Sequence, residues 1–178
     1  ELIKKTRYVD NRSGQMVIRV DHNDKCERIV FSKQLPQYDA VIISDYCKGF
    51  LTEEDIKYIS NQFPLTFLDT KKQLGDWCKD VSFIKINEFE HKKNFELLPN
   101  YPFILDKMIV TIGSKGCKYK DKIYPVPEVS VKDVSGAGDT FLAALVMAYL
   151  KNNDIETAIT FANECATKVV QKRGVAVI

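Results

Sequence analysis

Histidine is scarce in this sequence and cysteine is scattered. The 178 residues include two histidines, His22 and His91, and neither sits in a recognisable Ser-His-Asp arrangement, which argues against a triad hydrolase. The five cysteines, Cys26, Cys47, Cys78, Cys117 and Cys165, form no Cys-x-x-Cys pair. A structural zinc site needs several Cys or His ligands at close spacing, so none is expected. Dispersed, odd-numbered thiols fit a reducing compartment, and the protein is read as cytoplasmic. Long apolar runs are also lacking: the longest, around Phe141 to Leu150, is about half of what a membrane span needs. The polar start from Glu1 to Lys5 is followed by no apolar core, so no signal peptide is expected. Nor does one sign of charge dominate. With 28% charged residues and a net charge of +2, nothing electrostatic favours nucleic acid or an anionic membrane as partner.

What is present is a chain 45% hydrophobic, of a length that fits one domain with a real core. Thr6 to Val20 reads as two strands around a turn at Asn11 to Gly14. Asp39 to Ser44, Leu65 to Asp69, Val81 to Ile86 and Met108 to Ile112 are short apolar runs, as expected of strands buried on both faces. Between them lie a helix capped by Thr52 with Asp55 three residues on, a short helical stretch around Gln73 to Cys78, and a helix from Glu88. A turn at Gly113 to Gly116 leads into a hairpin over Cys117 to Tyr124. Two helices close the chain, over about Gly138 to Lys151 and Ile155 to Lys172. Strand and helix alternate through the middle, which implies βαβ units and a mostly parallel sheet flanked by helices in one α/β domain spanning residues 1–178.

The segment richest in chemistry is Asp133-Val134-Ser135-Gly136-Ala137-Gly138-Asp139-Thr140, followed by an apolar helix. Two glycines let the backbone turn sharply and approach a ligand closely. The helix behind them aims unpaired N–H groups and its positive dipole end at the turn, which makes an anion site suited to phosphate. A carboxylate inside such a site repels phosphate, so its presence suggests use: Asp139 can take a proton from a hydroxyl during phosphoryl transfer. The plainer alternative is a helix start with Asp139 as a capping residue. The segment is neither Gly-x-Gly-x-x-Gly nor a Walker loop.

Asp-x-x-Gly-Ala-Gly-Asp at the head of a late helix resembles the signature of the ribokinase/PfkB carbohydrate kinases. The longer string looks like the kinase module of bacterial heptose-7-phosphate kinase/ADP-heptose synthases. Further segments agree in order. Ser44 to Phe50 (SDYCKGF) resembles a strand-end motif of that group. Lys85 to Glu90 (KINEFE) resembles Lys-Pro-Asn-Glu-x-Glu with Ile86 in place of Pro. Val110 to Gly116 resembles Val-Thr-x-Gly-x-x-Gly, and Phe161 to Asn163 with Lys172 to Gly174 resembles the closing helix and end. The resemblance covers essentially the whole chain. Asp69-Thr70-Lys71 stands where the heptose kinases tend to show Asp-Pro-Lys.

The resemblance implies a ribokinase-like layered fold, ATP and Mg²⁺ as cofactors with K⁺ beside them, and a sugar or sugar phosphate as acceptor. Asp139 would be the base, and the amides of Gly136, Ala137 and Gly138 the anion hole. Thr111, Gly113, Gly116 and Asn163 would border the nucleotide, and Lys85, with Lys71, would face phosphates. Asn87 and Glu90 would help place Mg²⁺, and Asp133 a monovalent cation near Arg173 and Gly174. Taken alone, Asn87 and Glu90 read as helix-cap and surface groups, Thr111 to Gly116 as a turn, Tyr46 and Phe50 as packing, and Cys47 and Cys117 as small apolar fillers. The resemblance also implies that the N-terminal part of the kinase, with much of the sugar pocket, is missing from a chain that begins at Glu1. The segment alone is then expected to be inactive, and its open sheet edge favours self-association, a homodimer being the simplest form. Heptose 7-phosphate is the first acceptor; another sugar or a nucleoside, or a non-catalytic nucleotide-binding role, are the alternatives.

Overall fold

The computed structural model describes residues 3–12, 16–31, 35–174 and 176. Its main sheet is built from the four apolar runs. Strands β3 (Val41–Asp45), β4 (Thr66–Thr70), β5 (Phe83–Asn87) and β6 (Met108–Thr111) lie side by side in parallel, and β7 (Cys117–Tyr119) and β8 (Lys122–Tyr124) extend the sheet antiparallel beyond β6. The expected N-terminal hairpin forms as β1 (Lys4–Val9) and β2 (Met16–His22), antiparallel, in a two-stranded sheet of its own. The tip of its expected turn, Ser13 and Gly14, lies outside the described residues. Tyr8, Val17 and Ile18 on this ribbon are all exposed.

The strands carry apolar residues on both faces because both faces are covered. On one side Ile43, Leu68, Ile84, Ile86 and Val110 pack against Ile56 and Ile59 of α1 (Glu53–Gln62), against Trp77 and Cys78 of a 3-10 turn (Asp76–Cys78), and against Ile104 of α3 (Pro102–Leu105). On the other, Phe67 and Ile109 pack against Phe141, Leu142 and Leu145 of α4 (Ala137–Asn152) and Ile159 and Ala162 of α5 (Ile155–Val170). Phe67 and Leu68, and Ile109 and Val110, thus split between the two cores, as the two-residue period of a strand requires. Tyr149 meets the rings of Phe67 and Phe83 edge-on at 5.8 and 5.1 Å.

Helix starts follow local chemistry. Thr52 and Asp55 form a reciprocal capping box on α1, and Asn87 and Glu90 form a second on α2 (Glu88–Asn94). Each box satisfies two backbone donors that would otherwise lack partners at a helix start. Asp154 caps α5 by accepting from the amides of Glu156 and Thr157. The short helical turns between residues 98 and 105 were not expected from the sequence. They are too brief to show a 3.6-residue period, and Pro at their first positions is the main local sign.

Four parallel strands share one direction, so their carboxyl ends, Asp45, Thr70, Asn87 and Thr111, line one edge of the sheet. The helix α4 begins over the same edge. Crevices at the carboxyl ends of parallel strands are where open α/β sheets bind ligands.

Candidate active site

Two adjoining cavities open at this edge. The first, about 520 Å³, is lined by charged and polar groups, among them Asp45, Asp69, Lys85, Asn87, Glu90 and Asp139. The second, about 530 Å³, is mostly apolar, with Val126, Val129, Phe141, Ala166 and Val170 in its wall. Thr111, Gly113, Val134 and Gly138 border both, so the two form one continuous cleft around the start of α4.

The start of α4 is shaped by Gly136, whose φ of +79° places it in the left-handed region just before the helix. That conformation turns the chain so that Asp139, in the first helical turn, is exposed to the polar cavity. Of the three amides expected to form an anion hole, that of Ala137 is engaged within the turn, donating to the Val134 carbonyl at 3.2 Å. Asp133 holds the turn from below. Its carboxylate accepts from the amide of Ser135 at 2.8 Å and from that of Gly174 at 3.1 Å, which ties the segment after α5 to the turn before α4. These amide hydrogen bonds, that of Ser135 foremost, hold the Asp133 carboxyl below its ordinary range.

Lys85 and Asp69 are register partners on the adjacent strands β5 and β4, directly opposite each other on the face that α4 covers. The Lys85 ammonium lies 2.7 Å from Asp69 Oδ2, and Lys85 is only 6% exposed. Burial pushes the Asp69 carboxyl above its ordinary value, and the charge of Lys85 opposes that rise. A Cβ added to Gly138 would stand 3.1 Å from Lys85 Nζ, so a glycine here lets the ammonium reach the helix start. Lys71, half exposed, pairs with Glu90 Oε1 at 3.3 Å.

Asn87 and Glu90, singled out for Mg²⁺, serve first as the capping box of α2. The Glu90 amide donates to Asn87 Oδ1 at 2.9 Å, and the Asn87 amide donates to Glu90 Oε2 at 2.8 Å. Among the described residues no group of three or more His, Cys, Asp or Glu is placed to hold a metal ion. A donor set this sparse suits a hydrated Mg²⁺ carried largely by phosphate oxygens, not a closed protein cage.

The residues expected at the nucleotide gather around the second cavity. Thr111 ends β6 beside Asn87. Gly113 and Gly116 bound a 3-10 turn closed by the Ile112 amide donating to Gly116 O at 2.8 Å. Asn163, buried on α5, donates to the Tyr124 carbonyl at 2.9 Å and so fixes the cavity wall near β8.

Three expectations need correction. Tyr46 and Phe50 are 43% and 48% exposed, so neither is a core packing residue. Instead the Tyr46 hydroxyl donates to Asp139 Oδ1 at 3.0 Å. Cys47 is exposed with φ +56° and fills no core, because it occupies a turn. Cys117 is a buried filler, and burial pushes its thiol up to about 12. Asp45 has no individual role in the sequence reading; a polar residue at the carboxyl end of an apolar strand was the available signal.

The architecture is ribokinase-like. A crystal structure of ribokinase from Thermotoga maritima matches 94% of this chain and 62% of its own with a TM-score of 0.72 at 19% identity. A ribokinase from Arabidopsis thaliana, solved with ribose and ATP, matches 97% of this chain and 64% of its own with a TM-score of 0.68 at 16% identity. At this level of identity the likeness is one of fold. Residues 5–177 match the family described as pfkB family carbohydrate kinase, and the chain belongs to it. Among curated proteins, the bifunctional protein HldE of a Nitratiruptor species is 34% identical over 199 residues, covering 97% of this chain and 42% of that protein. HldE of Helicobacter hepaticus is 32% identical over 208 residues, covering 98% and 42%. The chain thus spans less than half the length of these relatives. No helix among the described residues is long and apolar enough to cross a membrane.

Proposed function

We propose that the protein containing this chain transfers the γ-phosphoryl group of ATP to a hydroxyl of a sugar or sugar phosphate, and that heptose 7-phosphate is the acceptor. The observation that carries the reading is the placement of Asp139. It is an exposed carboxylate in the first turn of α4, on the rim of a polar cavity that adjoins an apolar one. The apolar cavity suits a nucleobase, with Asn163, Thr111, Gly113 and Gly116 bordering it. The polar cavity suits the phosphates and the acceptor.

The residues divide the work as follows. Asp139 accepts the proton of the acceptor hydroxyl as that oxygen attacks the γ-phosphorus. At the helix start the backbone N–H groups of Gly136 and Gly138, with the helix dipole, meet the charge on the transferring oxygens, the Ala137 amide being taken up by the Val134 carbonyl. Lys85, fixed by Asp69, adds a positive charge beside the same helix start. Asn87 and Glu90 would hold Mg²⁺ through its water shell, and bound Mg²⁺ would neutralise charge on the phosphate oxygens. Asp133 would contribute to a K⁺ site with backbone oxygens near Gly174. The support for heptose 7-phosphate over other acceptors is the similarity to HldE proteins together with the SDYCKGF and KINEFE segments. A cytoplasmic location is part of the proposal, on the ground that all five cysteines are free thiols.

The test is ADP release by the full-length protein with heptose 7-phosphate, ribose and fructose as acceptors. Turnover with heptose 7-phosphate well above the others is expected. ADP release that no acceptor stimulates would overturn the reading.

A further inference from the structure

The loop after β3 is built with more care than a connecting turn needs. Asp45, 5% exposed, accepts from the Thr70 hydroxyl at 2.8 Å, pairs with Lys72 at 3.1 Å and accepts from the Cys47 amide at 3.1 Å. The last of these closes a turn in which Cys47 takes a left-handed φ of +56°, a conformation that a side chain bearing a Cβ seldom adopts. Between the anchored Asp45 and the strained Cys47 stands Tyr46. Its ring is flanked by two ammonium groups, Lys5 at 5.4 Å and Lys71 at 5.3 Å from the centroid. Its hydroxyl reaches across 93 residues of sequence to Asp139 Oδ1, at 3.0 Å.

From this geometry we infer that Tyr46 is the positioning residue of the proposed base: its hydroxyl holds Oδ1 of Asp139 so that Oδ2 is presented to the acceptor hydroxyl. The inference rests on the proposed role of Asp139. In the transfer step the acceptor O–H bond breaks and its proton passes to Oδ2. The acceptor oxygen bonds to the γ-phosphorus, and the bond from that phosphorus to the bridging oxygen breaks with its electron pair left on ADP. Tyr46 keeps its own proton throughout. Burial, followed by the hydrogen bond to Asp139, raises the phenol above its ordinary value, which keeps it a donor at neutral pH. A carboxylate on an exposed helix turn is otherwise spread over several rotamers. Fixing one of its oxygens removes that freedom before the acceptor arrives, and orientation of this kind is a large part of what phosphoryl-transfer sites supply.

The experiment uses the full-length protein with ATP and whichever of heptose 7-phosphate, ribose and fructose it phosphorylates fastest. Tyr46→Phe keeps the ring and its contacts with Lys5 and Lys71 and removes only the donor. It should lower kcat about ten- to a hundredfold, the range for losing a hydrogen bond to a charged group. KM for ATP and for the acceptor should stay within about twofold, because positioning that matters only in the transition state lowers kcat alone. In an Asp139→Asn background the same change should have no further effect on kcat, since it acts through the group already removed. A structural role would persist in that background. A second readout needs no acceptor: in tyrosines labelled with ¹³C at Cζ, the NMR titration of the Tyr46 phenol should move to lower pH in Asp139→Asn. Tyr46→Phe with wild-type kcat, a loss confined to KM, or an unmoved titration would overturn the inference and leave Asp139 as base untouched. Asp139→Asn with most of its turnover would overturn the base assignment itself.

Discussion

Replacing Lys85 by Met tests the buried pair at the centre of the cleft. Methionine keeps the length of the side chain and drops its charge, so Asp69 loses its partner at 2.7 Å while the packing is largely kept. Breaking a buried ion pair from one side costs about 3–5 kcal/mol, because the remaining charge is left uncompensated. The Asp69 side chain retains 17% exposure and also feels the positive charge of Lys71, so the lower end, about 3 kcal/mol, is expected. For a domain of this length each kcal/mol moves the unfolding midpoint by about 2–4 °C, giving a drop of about 6–12 °C. The pH dependence has a definite sign. Burial already raises the Asp69 carboxyl above its unfolded value, so the folded state holds this proton more tightly than the unfolded one. Stability from such a group is present at low pH and lost as pH rises through the folded value. Removing Lys85 raises that value further. The deficit of Lys85→Met should therefore be largest at pH 8 and shrink toward pH 5, followed by thermal unfolding in circular dichroism. Asp69→Asn added to Lys85→Met should recover most of the midpoint, since a neutral pair carries no buried charge, without recovering kinase activity. A midpoint within about 2 °C of wild type at pH 8, or a deficit that grows on acidification, would refute the reasoning.

In the full-length protein, Asp139→Asn keeps shape and hydrogen bonding but loses basicity; turnover should fall by about two to four orders of magnitude with ATP affinity little changed, as measured by steady-state kinetics and nucleotide titration. Glu90→Gln retains an oxygen able to cap α2, so the unfolding midpoint should hold while the Mg²⁺ concentration for half-maximal rate rises; an unchanged metal dependence would leave Glu90 a capping residue only. Gly116→Ala and Gly113→Ala should differ sharply in thermal unfolding. The first would put a Cβ 2.0 Å from the Tyr124 carbonyl oxygen, whereas the second meets nothing within 4 Å and costs only about 1–2 kcal/mol for its positive φ. The Arg28 guanidinium, bonded to both oxygens of Asp55, holds that carboxyl well below the usual carboxylate range. The resulting stability is present above about pH 4 and lost as pH falls further, so Arg28→Met should flatten the acid limb of unfolding below that pH.

The strands, the long helices and the helix caps were legible because their signals are local. Runs such as Thr66-Phe67-Leu68 announce burial on both faces, and Thr52 with Asp55 satisfies a helix start within four residues. The segment Gly136 to Asp139 stood out too, as a glycine turn ahead of an apolar helix that reads either as an anion site or as a plain helix start. The parallel order of the sheet followed from alternation alone. What stayed hidden were groups whose meaning lies in a neighbour far along the chain. Tyr46 read as packing because nothing near it in sequence needs a phenol; its partner is 93 residues away. Lys85 was read as a phosphate ligand, and its pairing with Asp69 depends on the lateral register of β4 against β5. That register, and the angle at which α4 approaches the sheet edge, are set by how Phe67, Ile109, Phe141 and Leu145 pack together. Periodicity and capping are written within a few residues and survive without the rest of the molecule. The meeting of Asp139 with Tyr46, and of Lys85 with Asp69 and Gly138, exists only once two buried layers have fixed the distances between elements that share no local sequence.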